Sequence, residues 1–299
     1  MRVFVTGATG FIGSAIVKEL IGSGHQVLGL TRSDEGADAL FAAGAEVHRG
    51  TLEDLDSLRS GAAVCDGVIH TAFIHDFSKF QENCETDRGV IAAIGSVLAG
   101  SNRPLIVTSG TGFGIAVLGG IATENNAANP KINPHPRIAS EEAAAAVAAQ
   151  GVNVSIMRLP PSVHGKGDHG FVPRLIGIAR EKGVAAYIGE GANRWPAVHR
   201  LDAALLYRLA LEKSVAGTYH AVGDTGIPTR DIVEVIGRHL NLPVISLSPE
   251  EAATHFGWLA GFFGSDVPAS ARLTEERTGW KPTHPGLIAD LEQGHYFER

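Results

Sequence analysis

Val3-Phe4-Val5-Thr6-Gly7-Ala8-Thr9-Gly10-Phe11-Ile12-Gly13 decides the fold. A short β-branched run enters a turn with glycines spaced G-x-x-G-x-x-G, and an amphipathic stretch, Ile12–Leu20, follows at once. In a strand–turn–helix setting the three glycines have distinct jobs. Gly7 takes the tight turn, Gly10 lets the backbone come close to a pyrophosphate, and Gly13 allows close helix–sheet packing. The helix start then offers free N–H groups and the positive end of its dipole to an anion. The context, more than the spacing itself, predicts dinucleotide binding.

Working outward, Val3–Val5, Val27–Leu30, Val68–His70 and Leu105–Val107 read as buried strands, with helical periods at Ile12–Leu20, Asp54–Leu58 and Val90–Leu98 between them. Such alternation predicts an α/β protein with a Rossmann-type, doubly wound parallel sheet. Thr51-x-x-Asp54 reads as a capping box after a strand at Glu46–His48. The alanine-rich Glu141–Gln150 reads as a helix, and the strand Val152–Arg158 is ended by Leu159-Pro160-Pro161. Beyond Pro161 the texture changes. Ser162–Gly170 and Gly189–His199 read as polar loops. Helices are expected at Val172–Lys182, Ala203–Glu212 and Thr229–Leu240 (Thr229 as N-cap), and strands at Tyr219–Val222 and Val244–Leu247. Ser248-Pro249-Glu250-Glu251 is a second capping box. The expected division is a dinucleotide-binding domain over 1–161 and a smaller substrate-binding region over 162–299, packed on the sheet, with part of the chain returning to it.

The 299 residues carry 25 basic and 32 acidic side chains, a net charge of −7, which disfavours a broad nucleic-acid surface. Cys65 and Cys84 are too few for a disulfide framework, so a reducing compartment is expected. Nothing approaches a membrane span, and the apolar start runs straight into the glycine turn rather than into a signal-peptide core. A soluble cytoplasmic enzyme is expected.

Thr6-Gly7-Ala8-Thr9-Gly10-Phe11-Ile12-Gly13 resembles the extended and atypical short-chain dehydrogenase/reductases, the epimerase/dehydratase-like group. The similarity continues at Val68-Ile69-His70-Thr71-Ala72, Leu105-Ile106-Val107-Thr108-Ser109, Met157-Arg158-Leu159-Pro160 and Asn193–Ala204. The resemblance implies cofactor contacts from Gly7, Thr9, Gly10, Phe11, Ile12 and Gly13, with Leu52 and with Thr71, Ala72 and Phe73 along the ribose. It places Thr108 and Pro160 at the nicotinamide end. Relatives of this kind also commonly form homodimers.

Which dinucleotide binds is set after the second strand. An NAD site places a carboxylate there for the ribose hydroxyls. Here the strand ends Leu30-Thr31-Arg32-Ser33, so Arg32 stands ready for a 2′-phosphate and Ser33 adds a hydroxyl. Asp34 follows and competes as a ribose acceptor. NADP is expected over NAD.

The resemblance also implies a Tyr-x-x-x-Lys pair, in which the ammonium lowers the tyrosine pKa for proton transfer. None of the four tyrosines has a lysine four residues on. Arg137 occupies the tyrosine position and Glu141 the lysine position. As an i, i+4 pair they read as a helix salt bridge, although Arg137 is also able to pin a phosphate or polarise a carbonyl. Ser109 takes the family serine position, with Thr111 as the nearest further hydroxyl toward substrate, and Asp87 stands where the family has Asn. For a proton donor the sequence offers His164, His169 or His199, with His164 placed first, beside Ser109 and Asp87, and His169 and His199 toward substrate. Such a donor predicts carbonyl reduction falling as pH rises through roughly 6–8. Arg194 and Trp195 are expected to close over a planar or anionic substrate. The histidines lack tight ligand spacing, so no metal is expected. The leading expectation is an NADP(H)-dependent oxidoreductase acting on the carbonyl or alcohol of a small molecule. A non-catalytic NADP(H) sensor is the alternative, and a nucleotide-sugar epimerase or dehydratase is a third.

Overall fold

The computed structural model describes residues 1–112, 120–129, 131 and 134–298. The first half of the chain alternates β1 (Arg2–Thr6), α1 (Phe11–Gly22), β2 (Gln26–Thr31), α2 (Asp34–Ala42), β3 (Glu46–Arg49), α3 (Leu55–Ala63), β4 (Gly67–His70), α4 (Phe80–Leu98), β5 (Pro104–Gly110), α5 (Ile138–Ala148) and β6 (Asn153–Leu159). The second half runs β7 (Ser162–His164), α6 (Phe171–Lys182), β8 (Ala185–Ile188), β9 (Arg194–His199), α7 (Arg200–Lys213), β10 (Gly217–His220), β11 (Asp224–Pro228), α8 (Thr229–Leu240), β12 (Val244–Leu247), α9 (Pro249–Phe256), α10 (Ala260–Phe263), α11 (Arg272–Thr278) and α12 (Leu287–Glu292).

Seven strands form one parallel sheet in the order β10-β6-β5-β4-β1-β2-β3. Apolar side chains fill both faces, as an all-parallel sheet requires. One face packs α1 and α7 around Ile16, Leu20, Met157 and Tyr207. The other packs α3, α4 and α5 around Phe4, Leu58, Ile94, Val107 and Val147. Strand order reverses between β1 and β4, and ligands of open α/β sheets bind at the carboxyl ends of the strands beside such a reversal. After the second half has begun, the chain returns to the sheet as its edge strand β10. A third core gathers α6, α8, α9 and the small sheets β11-β9-β7 and β12-β8.

Several local expectations are corrected. The segments read as loops contain β7 and β9, which pair in parallel from Ser162↔Ala197 to His164↔His199. Pro196 lies within β9, although proline cannot donate to a ladder. It is tolerated because β11 shifts register opposite it, between Asp224 and Ile227. Asp54, not Thr51, caps α3, its carboxylate accepting from Ser57 N at 3.0 Å. A carboxylate is the better acceptor at the positive end of the helix dipole. Thr229 is the first residue of α8 rather than its cap, and its hydroxyl donates to Asn193 Oδ1 at 2.8 Å. The Ser248 capping box forms as read.

Candidate cofactor and substrate cleft

The glycine turn has the geometry its sequence demands. Gly7 lies at φ +68°, and a Cβ there would come within 2.8 Å of Ala72 N and the Thr71 hydroxyl. A Cβ on Gly13 would lie 1.9 Å from Gly7 O, so this glycine guards the turn's own backbone more than the sheet. Gly10 is the N-cap of α1 and carries no side-chain cap, so the first amides of the helix remain for an anion. Thr9 and Gly10 are exposed, and Phe11 and Ile12 are half-buried. Across the strand-order reversal, the Thr71 hydroxyl donates to Thr6 O at 2.7 Å and Ala72 N to Thr6 Oγ1 at 3.3 Å. A cradle that side chains would fill, with uncapped amides at its floor, fits a dinucleotide pyrophosphate. Thr71, Ala72 and Phe73 lie along its rim, half-buried; Leu52 sits on the loop after β3 and Pro160 is buried just past β6.

At the end of β2, Asp34 is occupied: Arg49 of β3 donates to its Oδ1 at 2.6 Å. Ser33 caps α2, accepting from Gly36 N at 3.1 Å. Arg32 is exposed and forms no ion pair among the described residues.

Toward the nicotinamide end a buried polar chain crosses the crevice. The Thr6 hydroxyl meets His70 Nδ1 at 2.7 Å, and His70 Nε2 donates to Asp87 Oδ1 at 2.9 Å. Arg137 donates to Asp87 Oδ2 at 2.8 Å and to Thr108 O at 3.1 Å, and Ser140 also donates to Asp87. The Thr108 hydroxyl in turn meets Tyr207 OH at 2.7 Å. Burial pushes the Asp87 carboxyl up, but His70 and Arg137 pull it down further, and it ends below the usual range. The guanidinium of Arg137 also lies 4.2 Å from the centroid of the Phe73 ring. Arg137 and Glu141 therefore do not pair with each other, which corrects the helix salt bridge expected from their spacing. Glu141 instead accepts from Arg158 at 2.7 and 2.8 Å. Asp87 is only 1% exposed. Tyr207 is wholly buried and, desolvated, its phenol is pushed up; it does not replace the family tyrosine.

The residues singled out for catalysis are not brought together. Ser109 and Thr111 are buried at the end of β5 beside Thr108. His164 is also wholly buried, but in another cluster: it donates to Asp290 at 2.9 Å and sits edge-on to His199. His199 caps α7, accepting from Leu201 N at 3.3 Å, and burial pushes its pKa down to about 4. Its ring stacks on His284 at 4.6 Å, and Asp202 nearby accepts from Thr283 N and His284 N. His199, Asp202 and His284 lie close together; the stacked rings and the occupied carboxylate make this a helix cap. Among the described residues no hydrogen bond or ring contact links this cluster to Ser109, Asp87 or Arg137. Trp195 is no lid either. It is fully buried against Phe262 and Phe263, because β9 is the central strand of its sheet. Arg194 is held by Asp266 through two bonds at 2.9 and 3.0 Å. His169 is exposed and meets the Phe11 ring edge-on at 5.7 Å, which puts it at the cleft.

The sequence reading missed the cleft wall. Phe73 meets His75 at 5.4 Å and Phe80 at 5.9 Å, and Phe80 meets His135 at 5.6 Å. Phe77 stacks on Trp258 at 4.6 Å, joining the β4–α4 segment to the C-terminal part. Arg174 of α6 lies over the same Trp258 ring at 5.6 Å. Three aromatic or imidazole residues within Phe73–Phe77, close after a strand at the ligand edge, were the available sign.

A family model for the NAD dependent epimerase/dehydratase family matches residues 3–223. The chain belongs to this family. It is 56% identical over 99% of its length to an uncharacterized protein of Schizosaccharomyces pombe, all of which it covers. It is 26% identical to the 4-hydroxy-2-methyl-3-oxo-4-farnesyl-3,4-dihydroquinoline-1-oxide ketoreductase of Stigmatella aurantiaca, over 86% of this chain and 80% of that one. In fold it is similar to the dTDP-glucose 4,6-dehydratase DesIV of Streptomyces venezuelae, solved with NAD and TYD bound (TM-score 0.77, 19% identity, 99% and 97% of the chains). The fold and family make this an NAD(P)-binding, oxidoreductase-type protein. No described helix is long and apolar enough to cross a membrane.

Proposed function

We propose that the chain is an NADP(H)-dependent reductase of a small planar or apolar carbonyl compound. The observation that carries the cofactor choice is the Arg49–Asp34 pair. It engages Asp34, the carboxylate that follows Ser33 and would otherwise favour a ribose diol, and leaves Arg32 for a 2′-phosphate. When bound, the cofactor supplies the hydride. The chain's own part is to hold the substrate oxygen at Ser109 and to keep the cleft dry with Phe73, Phe77 and Phe80. The aromatic wall favours a flat, apolar substrate, in keeping with the quinoline named for the Stigmatella ketoreductase. The test is calorimetry with NADPH and NADH, followed by NADPH oxidation on a panel of aromatic aldehydes and ketones.

A second reading, a non-catalytic NADP(H) sensor, draws on one feature: Arg137–Asp87 and Glu141–Arg158 replace the tyrosine–lysine machinery with closed ion pairs. Tight NADPH binding without turnover on the whole panel favours it.

A further inference from the structure

We propose that His75 is the proton donor of the cleft, the group that delivers a proton to the substrate oxygen as hydride reaches the carbonyl carbon. This rests on the reductase reading above.

The β4–α4 segment leaves the sheet at the strand-order reversal, where ligands of such sheets bind. Its Thr71 and Ala72 lie against the Gly7 turn, and Phe73 carries the Arg137 guanidinium on its ring. His75 meets that same Phe73 ring from another side, at 5.4 Å. It is thus one aromatic ring away from Arg137, which reaches Thr108 O next to Ser109. The charged and titratable groups whose fields reach it are Arg137, from the start of α5, His169, from the loop after β7, and Arg174, from α6. His75 therefore sits beside the Phe73 ring on the segment that leaves β4, unlike His164 and His199, which belong to the Asp290 and Asp202 cluster. The ring also lies 6.4 Å from that of Phe77, so it sits between two aromatic residues of its own segment.

The proton balance is simple. With hydride supplied by a bound NADPH to the carbonyl carbon, the imidazolium N–H of His75 would give its proton to the oxygen, and the neutral imidazole would be reprotonated from solvent. Although His75 is exposed, partial desolvation by its neighbours, helped by the cation at Arg137, holds its pKa below the usual value of 6.5. A donor must be protonated to work, so kcat/KM for reduction falls as pH rises through that lowered pKa, and the oxidation direction shows the opposite limb.

The experiment has two arms. In the first, the His75 ring signals of the wild-type protein, assigned by their loss in His75→Asn, are followed by NMR during titration with 2′,5′-ADP and with NADPH. The expectation is that NADPH shifts the His75 signals and its titration midpoint, while 2′,5′-ADP, which fills only the adenosine end, leaves them in place. Signals indifferent to both ligands overturn the proposal without any substrate being needed. In the second arm, His75→Asn should bind NADPH as the wild type does by calorimetry, yet oxidise it about 100-fold more slowly on a responsive carbonyl, with a flattened pH profile. His239→Asn, at a histidine of α8 paired with Glu292 and outside the cleft, should keep the wild-type profile. Undiminished turnover in His75→Asn, or loss of the pH dependence in His239→Asn alone, overturns the assignment. Failure of the wild-type protein to bind NADPH at all removes the reductase reading itself, a result distinct from either.

Discussion

Arg137 and Asp87 lie 50 positions apart in sequence and meet at 2.8 Å, both buried. Breaking such a pair by removing one partner strands the other charge out of water, which costs about 3–5 kcal/mol. Arg137→Met should lower unfolding stability by that order in urea titrations. The double variant Arg137→Met/Asp87→Leu should recover most of it, because no charge remains buried alone. Equal losses in the single and double variants would show that the pair is not energetically coupled.

Arg32→Ala should weaken NADPH binding about tenfold or more and leave NADH binding unchanged, since only the 2′-phosphate loses a charge-assisted partner. Asp34→Ala, by contrast, should leave the NADPH preference standing, because Arg49 already occupies that carboxylate. Calorimetric titration of both cofactors against both variants decides the matter. A wild-type preference surviving in Arg32→Ala moves the phosphate site elsewhere.

Gly10→Val and Gly13→Val should fail in different ways. Gly10 has φ −74°, open to any residue, and its Cβ would lie 3.2 Å from Gly7 O. This variant should fold, with native circular dichroism, and lose dinucleotide binding where the side chain meets the pyrophosphate. Gly13→Val drives a Cβ to 1.9 Å from the same oxygen, so it should disrupt the turn and lower the melting temperature sharply.

His199 gives the fold an acid-side limit. Its folded-state pKa of about 4 lies below the unfolded value of 6.5, so between those values the unfolded chain takes up a proton that the folded chain refuses. Stability is therefore full above pH 6.5 and falls as pH drops toward 4. His199→Asn keeps an N-cap acceptor for α7 and removes the titrating ring. Thermal midpoints measured from pH 7.5 to 4.5 should fall less steeply in this variant, and unchanged steepness would assign the effect to other groups, His220 first among them.

The glycine turn and the strand–helix alternation were legible because both are local patterns, carried within single elements. The site was legible only in part. Arg137 and Glu141 sit one helical turn apart, and spacing alone pairs them, yet tertiary contact brings each a better-buried partner from another element. The same applies to Trp195 and Arg194: aromatic and cationic neighbours in a polar stretch look like a ligand clamp, but the strand pairing of β9 turns one into the core and delivers the other to Asp266. Phe73 was expected along the ribose, but the rest of the segment to Phe77 escaped notice because it has neither helical nor strand periodicity, and its meaning comes from where β4 ends.

Phe77 and Trp258 give the protein its own optical gauge. Of the three tryptophans, Trp195 and Trp280 are 0% and 1% exposed, whereas Trp258 is 55% exposed at the mouth of the cleft. Iodide in solution can therefore reach one indole only, and that indole lies against a ring from the opposite side. A molecule that slips between them must change its emission and shield it from the quencher, while the buried pair supplies a constant background. Intrinsic fluorescence thus reports events at the Phe77–Trp258 contact, with no label introduced.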